Sequence, residues 1–150
     1  MLQPGAKAPT FDLLDQSEQH VKLSDLRGRK VLVYFYPKAD TPGCTTQACG
    51  LNEILDQVGG TAILGISPDK PAKQAKFADK YSLGFALLAD QDHVVAEAFD
   101  VWQEKSMYGR KYMGIVRSAF LIDERGVIEQ AWYKISPKDT PKKLLAALEA

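Results

Sequence analysis

The two cysteines of the chain, Cys44 and Cys49, are the residues best suited to chemistry. Cys44 follows Thr41, a typical helix N-cap, and Pro42, which a helix tolerates in its first turn. Gly43 carries no side chain, so a ligand can approach the backbone there. Cys44 therefore falls in the first turn of a predicted helix. Unpaired N–H groups and the positive end of the helix dipole favour the thiolate there, which is the reactive form of cysteine.

The spacing of the two cysteines restricts how they can meet. Positions five apart on an intact helix are about 8.6 Å apart between Cα atoms, whereas a disulfide needs about 4.4–6.8 Å. The sulfurs can therefore bond only after local unwinding, which the weak helix formers Thr45, Thr46 and Gly50 would ease. The spacing also differs from that of short metal-binding motifs. A pair of inert buried thiols is the plain alternative, but it gives no reason for a thiol at a helix N-terminus.

The segment around Cys44 resembles the active site of the peroxiredoxins. Pro37-x-x-x-Thr41-x-x-Cys44 matches the family pattern. The longer match, Tyr-Pro-Lys-x-x-Thr-Pro-Gly-Cys-Thr-x-Gln-Ala-Cys, is similar to the bacterioferritin comigratory protein, or peroxiredoxin Q, branch. Further matches extend the resemblance over essentially the whole chain: Gly5-x-x-Ala8-Pro9-x-Phe11 near the start and Gly114-Ile115-x-Arg117-Ser118-x-Phe120-Leu121-Ile122-Asp123 near the end.

The resemblance assigns a role to each candidate site residue. It implies that Cys44 is the peroxidatic thiolate, which is oxidised to a sulfenic acid, and that Cys49 resolves it as an intramolecular disulfide. Thr41 would offer its hydroxyl to the incoming peroxide. Arg117 would be the permanent cation beside the sulfur, because a guanidinium stays charged at every working pH. Pro37 would pack over the thiolate and limit water.

The implied activity is reduction of hydrogen peroxide and organic hydroperoxides to water and alcohols, with no cofactor and no metal. The disulfide would be reduced through exchange with a thioredoxin-type protein, and the branch suggests a monomer. A redox-responsive binding protein is an open alternative, since the same oxidation could unwind the helix and expose a partner surface. A dithiol–disulfide oxidoreductase on the same fold is less favoured, because that chemistry normally uses a Cys-x-x-Cys pair.

Length and composition describe one ordinary globular domain over residues 1–150. Nineteen basic residues balance 19 acidic ones, so neither nucleic acid nor a membrane surface is expected as a partner. No apolar run reaches the length of a membrane span, and residues 1–5 lack the features of a signal peptide. We therefore expect a cytoplasmic protein, in a reducing compartment where a disulfide is transient.

Strands that alternate with helices, with hairpins at both ends, predict an α/β domain with a mixed sheet. The resemblance narrows this to a thioredoxin-like fold with an N-terminal β-hairpin extension. The predicted strands cover residues 11–14, 21–23, 31–36, 61–67, 85–88, 117–122 and 127–133, and the helices cover 43–58, 71–81, 94–99 and a final segment from Asp139.

Two further segments have competing interpretations. Residues 101–114 are polar and carry several aromatic side chains, which predicts a surface loop, with a rim of the substrate site as the functional alternative. Asp90, Asp92 and His93 could suggest a metal site, but helix capping and solvation explain them without one.

Overall fold

The structure is a computed structural model that describes residues 1–150. Short 3₁₀ turns cover Leu23–Leu26 and Leu55–Gln57. The strands and α-helices are β1 (Asp12–Asp15), β2 (His20–Lys22), β3 (Val31–Phe35), α1 (Pro42–Glu53), β4 (Ala62–Ser67), α2 (Pro71–Tyr81), β5 (Ala86–Ala89), α3 (Val94–Ala98), β6 (Trp102–Met107), β7 (Arg110–Ile115), β8 (Ser118–Ile122), β9 (Ile128–Trp132) and α4 (Asp139–Glu149).

Seven strands form one mixed sheet in the order β2-β1-β5-β4-β3-β8-β9. β3, β4 and β5 run parallel, whereas β8 pairs antiparallel with β3. The hairpin of β1 and β2 joins the sheet antiparallel to β5, which confirms the N-terminal extension. β3 is buried along its whole length because it has a neighbour on each side and cover on both faces, as its run of β-branched and aromatic residues predicts.

Alternating side chains of β3 feed a separate hydrophobic core on each face of the sheet. Leu32, Tyr34 and Tyr36 contribute to the core that lies under α1, α2 and α4. Val33 and Phe35 contribute to the opposite core, which α3, the N-terminal segment and the start of β6 help to cover. No helix has the length and hydrophobicity needed to span a bilayer. The chain is therefore a three-layer α/β domain, and its first layer of helices contains the predicted site.

Helix α1 is shorter than the sequence predicts. It ends at Glu53, and a 3₁₀ turn over Leu55–Gln57 replaces the expected continuation to Val58. The sequence also predicts an apolar side made of Cys49, Ile54, Leu55 and Val58. Ile54 and Val58 are buried, whereas Cys49 and Leu55 are only partly buried and Cys49 does not belong to the inward side of α1. The inward residues are Cys44, Gln47, Ala48 and Leu51, which have the i, i+3, i+4, i+7 spacing of one helical side.

The prediction of a surface loop over residues 101–114 is wrong. β6 and β7 pair antiparallel as a two-stranded sheet from Trp102 opposite Ile115 to Met107 opposite Arg110. At the tip, Tyr108 (φ 52°) and Gly109 (φ 77°) both have positive φ, as in the type I′ turns that favour tight hairpins. The hairpin is mostly exposed, so its sequence lacks the apolar alternation that marks a half-buried strand.

Candidate active site

Helix α1 begins after Thr41 as the sequence predicts, but the Thr41 side chain does not cap it. Thr41 occupies the N-cap position with an extended backbone, and Pro42 follows in the first turn. The hydroxyl of Thr41 makes no capping hydrogen bond, because it donates instead to the carbonyl oxygen of Lys38 at 2.8 Å. Cys44 is the third residue of α1 and is only 1% exposed. Its sulfur therefore lies beside the free backbone donors of the helix N-terminus.

The loop before α1 is fastened at two points. The backbone N–H of Ala39 donates to the carboxylate of Asp69 at 2.7 Å, just beyond β4. Asp40, which has a left-handed backbone (φ 61°), accepts from Lys80 Nζ and from the hydroxyl of Tyr81, each at 3.0 Å. The hydrogen bond from Lys80 lowers the pKa of Asp40. These contacts tie the segment that contains Thr41 to the sheet and to the end of α2.

Arg117 lies directly against the predicted reactive sulfur. Its Nη1 and Nη2 are each 3.5 Å from Cys44 Sγ. Nη1 also donates to Gln47 Oε1 at 2.8 Å, and Gln47 Nε2 donates to Thr140 Oγ1 at 3.0 Å. The carbonyl oxygen of Arg117 accepts from the N–H of Ile135 at 3.0 Å. The guanidinium is therefore held in a fixed orientation, in which its positive charge stabilises a thiolate.

Gly43 makes room for this cation. A Cβ atom at Gly43 would lie 3.1 Å from Arg117 Nη2 and 3.6 Å from Pro137 Cγ. The sequence predicts that a ligand approaches the backbone at Gly43, whereas the structure places the chain's own guanidinium there. The glycine in Thr-Pro-Gly-Cys is therefore part of the arrangement that brings Arg117 to Cys44.

Cys49 lies on another side of α1, and both cysteines are free thiols. It lines a cleft of about 440 Å³ between α1 and the start of α4, together with Glu53, Pro141 and Lys142. Burial and, secondly, the negative charge of Glu53 raise the pKa of Cys49. The closed helix thus keeps Cys49 in its thiol form and does not bring it to Cys44.

The hairpin β6–β7 adds a second cation near the site. Lys105 Nζ donates to the carbonyl oxygen of Ile115 at 2.8 Å, two residues before Arg117. Burial and the positive charge of Arg117 lower the pKa of Lys105, whereas Cys44 acts in the opposite direction. The β6–β7 hairpin therefore contributes to the electrostatics around the sulfur. This position is compatible with the alternative prediction that residues 101–114 form a rim of the site.

The structure brings together some of the sequence-predicted residues and separates others. Cys44 and Arg117 are in contact, and Thr41 lies just before Cys44 at the helix N-cap. Pro37 is half buried two residues beyond the end of β3, and Cys49 lies apart from the other site residues. Sequence reasoning missed the anchoring role of Gln47, which is fully buried three positions after Cys44. A polar residue on the inward side of a helix is the signal that could have revealed it.

Asp90 has a structural role. Its carboxylate oxygens accept from the N–H groups of Val95 at 3.2 Å and Ala96 at 2.9 Å, at the start of α3. The capping interpretation of the Asp90, Asp92 and His93 group is therefore confirmed for Asp90.

Comparisons with known proteins agree with this geometry. Residues 4–131 match the model of the AhpC/TSA family. A putative peroxiredoxin Bcp of Haemophilus influenzae is 52% identical over 151 residues, covering 99% of this chain and 97% of that protein. Peroxiredoxin Bcp of Escherichia coli is 53% identical over 133 residues, covering 87% of this chain and 85% of that protein.

Solved structures have the same fold. The bacterioferritin comigratory protein of Xanthomonas campestris, studied for alkyl peroxide reduction, has a TM-score of 0.89 at 35% identity and covers 99% of this chain and 96% of its own. A cysteine-to-serine mutant of Xylella fastidiosa PrxQ has a TM-score of 0.93 at 30% identity, with the same coverage.

The thioredoxin-like fold, with a buried cysteine at a helix N-terminus beside an arginine, and these relatives together identify a peroxiredoxin. The chain belongs to the AhpC/TSA family of peroxiredoxins, within the bacterioferritin comigratory protein, or peroxiredoxin Q, branch. It is therefore an enzyme of peroxide reduction.

Proposed function

We propose that the chain is a monomeric, thioredoxin-dependent peroxidase in which Cys44 is the peroxidatic and Cys49 the resolving cysteine. The observation that carries this proposal is the pair of 3.5 Å contacts from the guanidinium of Arg117 to Cys44 Sγ at the first turn of α1. A sulfur in that position is stabilised as a thiolate and is directed toward a fixed positive charge.

In the first step the Cys44 thiolate attacks one peroxide oxygen. An S–O bond forms, the O–O bond breaks, and the second oxygen leaves as water or an alcohol after taking a proton. Arg117 stabilises the charge that spreads onto the oxygens. The proton of the Thr41 hydroxyl is already donated to Lys38, so the oxygen of Thr41 is free to accept a hydrogen bond from the peroxide O–H. Pro37, two residues beyond the end of β3, limits access of water.

In the second step Cys49 attacks the sulfenic sulfur of Cys44. The S–S bond forms, the S–O bond breaks, and the hydroxyl leaves as water. An intact α1 keeps the two residues too far apart, so its first half must unwind. A thioredoxin-type dithiol then reduces the disulfide by exchange and is itself oxidised to a disulfide. The alkyl peroxide activity studied in the Xanthomonas campestris relative supports organic hydroperoxides as substrates beside hydrogen peroxide.

Single-cysteine variants test the assignment. We expect a Cys44→Ser variant to consume no peroxide above the uncatalysed rate. A Cys49→Ser variant should consume one equivalent, accumulate sulfenic acid detectable by dimedone labelling, and recycle poorly with thioredoxin. Peroxide consumption by Cys44→Ser at the wild-type rate would contradict the proposal. Many turnovers of the wild type with thioredoxin would also exclude a purely redox-responsive binding protein.

A further inference from the structure

Lys105 is a cation of the β6–β7 hairpin to which the proposed reaction steps give no role. It lies opposite Tyr112, and its Nζ donates to the carbonyl oxygen of Ile115 at 2.8 Å. A Cβ atom at Gly114 would lie 3.1 Å from Lys105 Cδ, so the aliphatic part of the side chain passes directly over that glycine. The side chain therefore lies along β7 and places its charge beside the segment that leads to Arg117.

The charge of Lys105 has no acidic partner. Lys30 and Lys105 are the two half-buried lysines of the chain. Lys30 Nζ forms a salt bridge with Glu129 at 3.0 Å, whereas Lys105 Nζ makes its hydrogen bond to a neutral carbonyl group and forms no salt bridge. A partly buried cation is unfavourable unless a negative group compensates it. A group other than an aspartate or glutamate must therefore offset this charge.

The charged groups that act on Lys105 are those of the active site. Burial and, secondly, the positive charge of Arg117 lower the pKa of Lys105, whereas Cys44 raises it. Arg117, which lies 3.5 Å from Cys44 Sγ, forms no salt bridge with a carboxylate either. Two cations therefore share one negative neighbour, the thiolate of Cys44. The resulting excess of positive charge favours a negatively charged reactant over a neutral one of the same shape.

The backbone between β7 and β8 keeps both cations at the site. The carbonyl oxygen of Ile115 accepts from the lysine, and the N–H of Val116 donates to the carbonyl oxygen of Val101 at 2.8 Å. The carbonyl oxygen of Arg117 accepts from the N–H of Ile135 at 3.0 Å. Three successive residues are thus each bonded to a different segment, so the hairpin cannot leave the site without breaking these bonds.

We propose that Lys105 is a specificity-determining residue, which makes the site favour hydroperoxides that carry a negative charge near the O–O group over neutral ones. Its charge adds to that of Arg117 and offsets the repulsion between the Cys44 thiolate and such a reactant. Lys105 donates no proton and forms no bond in the reaction. The inference rests on the proposed function, because Cys44 is the attacking sulfur in both.

Alkylation of Cys44 measures this charge preference without peroxide. Iodoacetate and iodoacetamide react with a thiolate by the same displacement and are similar in size, but only iodoacetate is negatively charged. The ratio of their rate constants therefore cancels the thiolate population and reports the charge around the sulfur. In a Cys49→Ser background, Lys105→Met should lower the iodoacetate to iodoacetamide ratio by about three- to tenfold. Lys105→Arg, which keeps the charge, should stay within about twofold of the parental ratio.

Lys111→Met is the matched control. Lys111 lies on the same hairpin but is exposed, and its Nζ pairs with Glu104 at 3.8 Å. This variant should keep the parental ratio. An unchanged ratio in Lys105→Met overturns the inference, even if both alkylation rates fall together, because an equal fall indicates a structural role alone.

A pair of hydroperoxides extends the test to the reaction itself. With both cysteines present, a hydroperoxide that carries a carboxylate near the O–O group is compared with its methyl ester. Lys105→Met should lower kcat/KM for the acid by about three- to tenfold relative to the ester. Equal losses for acid and ester overturn the inference. If the wild type consumes neither hydroperoxide, the proposed function fails and the substrate preference with it, whereas the alkylation ratio still measures the charge that Lys105 supplies.

Discussion

At the scale of single residues, the site depends on groups that hold a charge in place. The guanidinium of Arg117 is held by the 2.8 Å hydrogen bond to Gln47 and by its contact with Cys44. Gln47 is in turn oriented by Thr140, at the start of α4. The reactivity of one sulfur therefore depends on a chain of hydrogen bonds that reaches the last helix, and small displacements along it should affect activity more than stability.

Gly43→Ala should separate these two effects. The new Cβ would press on Arg117 Nη2 from 3.1 Å and displace the guanidinium. We expect kcat/KM for hydrogen peroxide to fall by about three- to tenfold, because misplacing a catalytic group by a fraction of an ångström has effects of this order. The melting temperature should stay level, since alanine favours the helix more than glycine does.

Gly60→Ala is the control for that variant, because a Cβ at Gly60 meets no atom within 4 Å. It should leave kcat/KM unchanged. A Gly43→Ala enzyme with wild-type kcat/KM would show that Arg117 does not need its present position.

Glu53→Gln should make Cys49 easier to ionise. Burial is the main cause of the raised pKa of Cys49, and the negative charge of Glu53 is the second. Removing that charge leaves only burial, so the pKa of Cys49 should fall but stay above its ordinary value. The rate of iodoacetamide labelling against pH, in a Cys44→Ser background, measures this shift.

Glu124→Gln, at an exposed turn position, serves as the control and should label with the parental pH profile. If Glu53→Gln labels with that same profile, the carboxylate does not act on Cys49.

At the scale of elements, single aspartate carboxylates hold a loop, a helix N-terminus and a hairpin turn through hydrogen bonds to backbone N–H groups. Asp69 fixes the loop before α1, Asp90 caps α3, and Asp123 shapes the turn between β8 and β9. Each of these side chains satisfies backbone N–H groups that the regular elements leave unpaired. The lowered pKa of Asp123 makes its turn sensitive to acid.

Asp123→Asn tests this at the β8–β9 turn. Asp123 Oδ1 accepts from the N–H groups of Arg125 at 2.9 Å and Val127 at 3.0 Å. The bond from Val127 is the main cause that lowers the pKa of Asp123. A lowered pKa means that the ionised carboxylate stabilises the folded state above the unfolded-state pKa. That stabilisation is lost as the pH falls through the folded-state value. At pH 7 the substitution should cost about 1 kcal/mol, measured by urea unfolding.

The same measurement at about pH 3, below the ordinary pKa of an aspartate, should give a smaller difference between the two proteins, because the stabilisation by the ionised carboxylate declines as the pH falls toward the lowered folded-state pKa. An equal difference at both pH values would contradict a role for the charge.

The sequence predicted the elements whose causes are local. The run Val31–Tyr36 predicted the central strand, and Thr-Pro-Gly predicted the start of α1, each within one residue. The partnership of Cys44 with Arg117 spans 73 positions, so only the family resemblance pointed to it. The β6–β7 hairpin was not predicted, because its strands pair only with each other and neither side is fully buried. Its sequence therefore lacks the alternation of apolar and polar residues that indicates a strand. The half-exposed position of Cys49 depends on which side of α1 faces the sheet, and tertiary packing decides that.

At the scale of the whole molecule, the sheet is supported from both faces, whereas the first half of α1 is a local cover. Two cores, of 18 and 17 buried residues, enclose β3, so its strand pairing does not depend on one helix. Opening residues 44–50 frees only Cys44, Gln47 and Ala48 from the inward side of α1, whereas Leu51 lies beyond that segment. The fold can therefore lose the first turns of α1 while the remainder keeps its structure.

Amide hydrogen exchange of the oxidised protein tests this division. A disulfide between Cys44 and Cys49 cannot form on an intact helix, so the amides of residues 44–50 should lose protection relative to the reduced protein. Amides of β3 and α2 are the internal control and should exchange equally in both states. The melting temperature is a poorer measure, because two effects on stability oppose each other. The disulfide closes a short loop and stabilises the oxidised protein by about 2 kcal/mol. The unwinding of α1 removes packing interactions and destabilises it. Equal protection of residues 44–50 in both states would exclude unwinding, and Cys49 could not then be the resolving cysteine.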